Sequence, residues 1–196
     1  MKDGKHELRK HISEMRNKLS HEQLVSASRR IQDLLFEVPE FQSSSMIMFY
    51  VSFRSEVQTH RMIEEALAIG KKIVVPAVSS VREELDLLAL CDLDDLKPGA
   101  YGILEPTARA DQVPPENLDL VIVPGLVFDP RGFRLGYGKG YYDKLLKRLR
   151  PDVPTIALAY DFQVVERIQA IEYHDVAVNS IVTEKRVILC RQGRPD

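Results

Sequence analysis

The residues best suited to chemistry lie close together at 131–143, RGFRLGYGKGYYD. Three alternating glycines, Gly136, Gly138 and Gly140, surround Lys139, with Arg134 just upstream. Glycine lets the backbone come close to an anion, and successive N–H groups in such a loop form an anion nest. Lys139 adds a full positive charge at the start of a predicted basic helix, whose first N–H groups favour phosphate. The apolar run DLVIVP (119–124) precedes this segment. The pattern therefore reads as a strand, a glycine-rich loop of more than ten residues and a helix, with the loop at the strand's carboxyl end, where α/β proteins collect ligands. It is neither the GxxxxGK[ST] loop nor GxGxxG, because the third glycine comes one residue early.

Asp143 is the only acid between 131 and 150 and falls on the first turn of that helix. A carboxylate there complements the helix dipole or holds Mg²⁺ together with phosphate oxygens and water; position alone leaves both open. Of Tyr141 and Tyr142, one ring is expected in the core and the other in the site. Glu56, in YVSFRSEVQT, follows an apolar run and reads as either a solvated loop acid or a site group. Asp175, in EYHDVAV, fits turn chemistry, and His174 beside it reads as a surface histidine. His6, His11, His21 and His60 show no metal-ligand spacing. There is no GxSxG elbow, and neither Cys91 nor Cys190 has a sequence neighbour that would activate a thiolate.

The elements that must position these groups alternate between helix and strand. Leu8, Ile12 and Met15 give a helix over 5–18. A second helix starts at Ser20, where Ser20 and Gln23 form a capping box, with Leu24, Ala27, Ile31, Leu34 and Leu35 as its apolar stripe. Short apolar runs at 46–51, 72–76, 85–90, 119–124 and 154–160, and a pair near 177–182 and 186–190, read as buried strands. A helix over 59–69, with Thr59 as cap and Gly70 as stop, separates the first two. This order predicts a three-layer α/β/α fold with a mostly parallel sheet, in one domain spanning 1–196. Residues 97–117, rich in proline and glycine, are expected to be a long irregular segment. The last six residues, RQGRPD, read as a frayed tail.

At 196 residues with 44% apolar and 29% charged side chains, the chain can bury a core without staples. Two cysteines outside any paired motif, and a charged N-terminus without a secretory pattern, fit a cytoplasmic protein. No apolar stretch is long enough to span a membrane. The net charge of −2 argues against a generally basic nucleic-acid binder, but the charge is uneven. Residues 1–30 carry +4 and residues 131–150 carry +6, so the other 146 together carry −12. Two local positive segments in a slightly acidic chain predict two walls of one site for an anionic ligand.

PGLVFDPRGFRLGYGKGYYDKLL resembles the signature of the 5-formyltetrahydrofolate cyclo-ligase (methenyltetrahydrofolate synthetase) family. Four further segments, KHELR, YVSFRSEVQT, GILEP (102–106) and HDVAVNSIVTE, resemble that family's motifs in the same order. The resemblance implies ATP-dependent closure of 5-formyltetrahydrofolate to 5,10-methenyltetrahydrofolate, with ADP and phosphate released and Mg²⁺ required, on a fold similar to the phosphosugar isomerase and CoA transferase class. It implies that Lys5, His6, Glu7, Leu8 and Arg9 form one ATP-binding segment. Arg134, Leu135, Gly136, Tyr137, Gly138, Lys139, Gly140, Tyr141 and Tyr142 would form the other. Val51 and Glu56 would line the folate site with Gly138, Lys139, Gly140 and Tyr141. Lys139 and Tyr141 would be catalytic, and Asp143 and Asp175 would hold the metal. Tyr137 is given no side-chain role, and Asn179, where some relatives have an acid, is left out of the metal site. A monomer is expected, with no nucleic-acid or membrane partner. The alternatives are a non-catalytic nucleotide- or phosphometabolite-binding module, a sugar-phosphate enzyme on the same scaffold, and a nucleic-acid binder, for which no reading motif is present.

Overall fold

The computed structural model describes residues 2–79, 81–99, 102, 104–106, 110–169 and 171–190. The RQGRPD tail and residues 100, 101, 103 and 107–109 of the 97–117 segment lie outside the described residues. In chain order the helices are α1 (Lys2–Asn17), α2 (His21–Glu37), α3 (Pro39–Ser43), α4 (His60–Ala68) and α5 (Tyr141–Leu146). The strands are β1 (Met46–Met48), β2 (Lys72–Val78), β3 (Leu85–Leu90), β4 (Leu96–Pro98), β5 (Leu104–Pro106) and β6 (Leu120–Val123). They continue with β7 (Val127–Phe128), β8 (Arg134–Leu135), β9 (Thr155–Leu158), β10 (Ser180–Val182) and β11 (Val187–Leu189).

Seven strands form one sheet in the order β11-β10-β9-β6-β1-β2-β3. The inner pairs are parallel, and each edge adds an antiparallel strand, β3 on β2 and β11 on β10. Side chains alternate across the sheet with period two. Ile47, Leu120, Ile122, Ile156 and Leu158 face one way and pack against Ile31 and Leu35 of α2, Phe41 of α3, and Met62, Ile63 and Ala66 of α4. Met48, Val121, Val123 and Ala157 face the other way, against Leu145 and Leu146 of α5 and Val153. Both faces are covered, which is why the central strands are apolar almost throughout.

The Ser20–Gln23 capping box that starts α2 is formed. Thr59 does precede α4, but its side chain makes no cap. Its hydroxyl instead donates to the Tyr50 carbonyl and accepts from Ser52 N–H, fixing the 50–59 loop. The 97–117 segment is less irregular than expected: β4 and β5 pair within it, Gln112 bridges to Leu88, and a 3-10 turn covers Pro115–Asn117. The loop after β6 is also shorter than predicted, because β7 and β8 form a hairpin between β6 and the glycines.

Helix α1 packs on that hairpin instead of the sheet. Ile12 joins Leu126, Val127, Leu135 and Ile168 in a small separate core, with Leu8 partly buried beside it. Met15, expected in the stripe, stays exposed, and Arg16 turns inward in its place.

Candidate functional site

From β1 the chain crosses through α4 to β2 on one side. From β6 it crosses through α5 to β9 on the other. The neighbours β1 and β6 therefore flank the topological switch point, and loops leaving their carboxyl ends diverge and open a crevice. Residues 49–59 leave β1 there, and residues 124–140 leave β6. The predicted site residues fall into these two segments and the elements packed on them. A larger polar cleft of about 650 Å³, including Ser45, Asp119 and Pro154, lies at the opposite, amino ends of the strands.

The glycine loop is held by the hairpin on one side and α1 on the other. Gly138 (φ +92°) and Gly140 (φ +67°) occupy the left-handed region, which explains glycine at both positions. Gly140 caps α5 with no side-chain bond. Because α5 has only six residues, its dipole is small, and the loop N–H groups and Lys139 carry more of the positive potential than the sequence pattern predicted. Lys139 is exposed on a cleft of about 370 Å³ lined also by Gly138, Gly140, Asp143, Lys144, Lys147 and His174. Across it, Arg9 Nε donates to the Gly136 carbonyl at 2.8 Å. Arg16 Nη2 donates to the Tyr137 hydroxyl at 2.6 Å. Tyr137, assigned no side-chain role from sequence, thus has a side-chain contact.

A second corner joins the start of α5 to the 171–176 segment. Arg134, buried at the end of the hairpin, donates from Nη2 to Asp143 Oδ1 at 2.9 Å and from Nη1 to the Val176 carbonyl at 2.8 Å. Asp143 Oδ1 also accepts from Val176 N–H. Burial lowers the Arg134 pKa, opposed chiefly by Asp143 and also by Tyr142 and Asp175. Asp175 Oδ2 accepts from Glu172 N–H, and Lys5 Nζ lies 4.0 Å from that oxygen and 3.2 Å from Glu172. Each aspartate therefore keeps one carboxylate oxygen without a hydrogen bond to a described residue. Two such oxygens fit Mg²⁺, which takes one or two protein carboxylates and fills its remaining positions with phosphate and water. Among the described residues no three acidic, histidine or cysteine side chains gather as a closed metal cage. Asn179 lies elsewhere, its Oδ1 accepting from Thr155 N–H and Oγ at the amino end of β9.

The third part is the pocket after β1. Val51 is buried there, and Glu56 Oε2 accepts from Phe53 N–H at 3.0 Å. Burial raises the Glu56 pKa, opposed by the Phe53 N–H and by the positive charge of Arg16. Tyr160, its pKa pushed up to about 12 mainly by burial, donates to the Glu56 carbonyl. Tyr142 is raised further, by burial and then by Glu56, while Arg134 opposes. Tyr142 thus feels the charges of both Glu56 and Arg134 and packs against both faces of the core, whereas Tyr141 packs against one. Within this pocket Arg16 Nε donates to Ser55 Oγ at 3.1 Å, and Ser55 donates to Asn17.

Three side chains of the first predicted segment make no contact with the glycine loop among the described residues. His6 and Glu7 are exposed and make no hydrogen bond to the glycine loop, and the Leu8 side chain serves the hairpin core. Arg16 is the residue that sequence reasoning missed. Its signal was available, since Lys5 and Arg16 are eleven residues apart, three turns of helix, and so share a face. The two positive walls meet as expected through Lys5, Arg9, Arg16, Arg134 and Lys139. Much of the remaining charge at 131–150 is used elsewhere: Arg131 on buried Asp129, Arg148 on Glu84, and Arg150 on Asp152 and the Glu116 carbonyl.

Fold and site together define an α/β protein with a basic, glycine-rich loop at its switch point. The sequence profile of the 5-formyltetrahydrofolate cyclo-ligase family matches residues 1–184. The chain is 29% identical to a probable 5-formyltetrahydrofolate cyclo-ligase of Caenorhabditis elegans, over 96% of this chain and 97% of that protein. It is 30% identical to the 5-formyltetrahydrofolate cyclo-ligase of Haemophilus influenzae, over 90% and 95%. Among solved structures, the 5,10-methenyltetrahydrofolate synthetase of Aquifex aeolicus is 38% identical and superposes with a TM-score of 0.85, covering 97% of this chain and 95% of that one. The synthetase of Mycoplasma pneumoniae is 25% identical, with a TM-score of 0.74 over 92% and 98%. The chain belongs to the 5-formyltetrahydrofolate cyclo-ligase family.

Proposed function

We propose that this site converts 5-formyltetrahydrofolate and ATP to 5,10-methenyltetrahydrofolate, ADP and phosphate. One observation carries the residue assignment: Arg9 and Lys139 lie on the glycine loop, while Lys5 and Arg134 meet Asp175 and Asp143 beside it. The formyl oxygen is a poor leaving group until phosphorylated. It attacks the γ-phosphorus as the bond to the ADP oxygen breaks. The folate N10 then attacks the activated formyl carbon, phosphate departs with the formyl oxygen, and N10 loses its proton.

Phosphoryl transfer of this kind needs positioning and charge neutralisation more than a protein nucleophile, which agrees with the lack of a serine or cysteine constellation in the sequence. Lys139 and the loop N–H groups neutralise the transferring phosphate, and Lys5 and Arg9 hold the nucleotide from α1. Asp143 and Asp175 would hold Mg²⁺, which when bound offsets phosphate charge. Glu56 accepts hydrogen bonds from the folate, and Tyr142 feels the charges of both Glu56 and Arg134. The two free cysteines, one of them exposed, support a reducing compartment such as the cytoplasm.

The test is to mix protein, Mg²⁺, ATP and 5-formyltetrahydrofolate and follow the methenyl product by its ultraviolet absorbance. Product forming only with ATP is the expected result. Folded protein that makes none overturns the reading.

A further inference from the structure

Arg16 is 3% exposed, and a guanidinium offers five donors. Nε is used by Ser55 and Nη2 by Tyr137. Nη1 is fully buried and has no partner among the described residues. A charged donor left unpaired in the interior is costly, and the natural remedy is an acceptor that arrives with a ligand. The surroundings say which ligand. Arg16 is anchored to Ser55, the residue before Glu56, and its charge is felt by Glu56, Tyr50 and Tyr160. It therefore belongs to the pocket after β1 and lies apart from the Arg134–Asp143 corner. A carboxylate acceptor with a guanidinium donor beside it matches an amide edge, where N–H stands next to C=O. The folate ring presents such an edge.

We propose that Arg16 is a folate-binding residue whose free Nη1 donates to the ring carbonyl oxygen of the substrate, while Nη2 ties the glycine loop through Tyr137. This rests on the ring-closure reading above. It gives Tyr137 a purpose as well: the same guanidinium that meets the folate also holds the loop that meets ATP, so the two ligands' sites share one rigid member.

The experiment compares wild type, R16M, R16K and Y137F, with 5-formyltetrahydrofolate and with a 2,4-diamino analogue in which an amino group replaces the ring carbonyl. In R16M the KM for 5-formyltetrahydrofolate is expected to rise about 10- to 100-fold, the usual effect of losing a hydrogen bond from a charged group. The KM for ATP should rise far less, and no more than in Y137F, because on the ATP side both variants cut only the Arg16–Tyr137 tie. R16K should recover only part of the loss, because an ammonium cannot span Ser55, Tyr137 and the substrate. Y137F, which keeps Nη1, should leave the folate KM within about 2-fold. A variant-independent arm uses wild type alone, which should bind the 2,4-diamino analogue at least about 10-fold more weakly than the carbonyl form. In R16M that preference should collapse. The proposal is overturned by an unchanged folate KM in R16M, by equal losses for folate and ATP, by Y137F matching R16M in folate KM, or by wild type failing to prefer the carbonyl. Wild-type turnover separately tests the ring-closure reading, so failure of one is distinguishable from failure of the other.

Discussion

Three glycines of the site region carry different constraints, and replacing each by alanine separates them. Gly136 lies outside the left-handed region, and a Cβ there would meet nothing within 4 Å among the described residues. Gly138 is equally open but has φ +92°. Gly132 has φ +90°, and its Cβ would fall well inside contact distance of the Val178 carbonyl oxygen and 3.1 Å from both Val178 N and Cys190 Cβ. The left-handed conformation costs an L-residue about 1–2 kcal/mol. At Gly138 the exposed loop can relax, so G138A should leave the unfolding midpoint nearly unchanged. It should instead raise the ATP KM by about 5- to 30-fold, the same 1–2 kcal/mol expressed as loop population. At Gly132 no relaxation is open, because Gly132 N–H bonds the Asp129 carbonyl and the Gly132 carbonyl accepts from Val178 N–H. G132A therefore adds the loss of a buried hydrogen bond, about 1–3 kcal/mol, for a total near ~3 kcal/mol. With a urea slope of about 2 kcal/mol/M, that lowers the midpoint by about 1.5 M. Urea melts and ATP titrations on G136A, G138A and G132A check the order. Equal ATP KM values for G136A and G138A, or a G132A midpoint within about 0.3 M of wild type, would refute the reasoning.

The other predictions address charge. K139A should reduce turnover at least ~10²-fold if the ammonium neutralises transferring phosphate charge; a rate within threefold of wild type rejects that role. D143N and D175N should each raise the half-saturating Mg²⁺ concentration at least ~10-fold. The amide introduced by D143N still offers an oxygen to Arg134 and Val176, so an unchanged Mg²⁺ titration with a normal melting curve would remove Asp143 from the metal site. Burial raises the Glu56 pKa above its ordinary 4.5, so between that value and the raised one the folded state binds the extra proton and stability falls as pH rises. E56Q should therefore melt higher than wild type at pH 7, lose that advantage below about pH 4.5, and bind folate more weakly. A wild-type and E56Q difference that does not change with pH would contradict this.

The fold was legible where period and polarity agree. The unbroken apolar runs of β1, β6 and β9 announced strands buried on both faces, and the Ser20–Gln23 box located the start of α2. What escaped was non-local. The edge strands β3 and β11 look like the central ones in sequence, but their antiparallel direction depends on which neighbour they meet. The β7–β8 hairpin hid inside a glycine-rich stretch because it is only two residues per strand. Its turn is held by buried Asp129, which accepts from Arg131 and from Ile168 N–H, 39 residues away.

The site shows the same division. Lys139 and the φ-positive glycines are set by local chemistry, so a short motif displayed them. The partnership of Arg134 with Asp143 and Val176 needs a chain reversal that no spacing rule contains. Arg16 is the sharpest case. Helical periodicity assigns the inward face by polarity, and so it chose Met15, which the fold leaves outside. The rule fails there because α1 packs on the β7–β8 hairpin beside the crevice and not on the sheet. On the reading proposed above, that face covers a polyanion site and so turns cations inward: Lys5, Arg9 and Arg16 follow the helical period that apolar residues would follow over a core. Where a predicted amphipathic helix has a second, basic stripe beside its apolar one, that stripe points to the ligand.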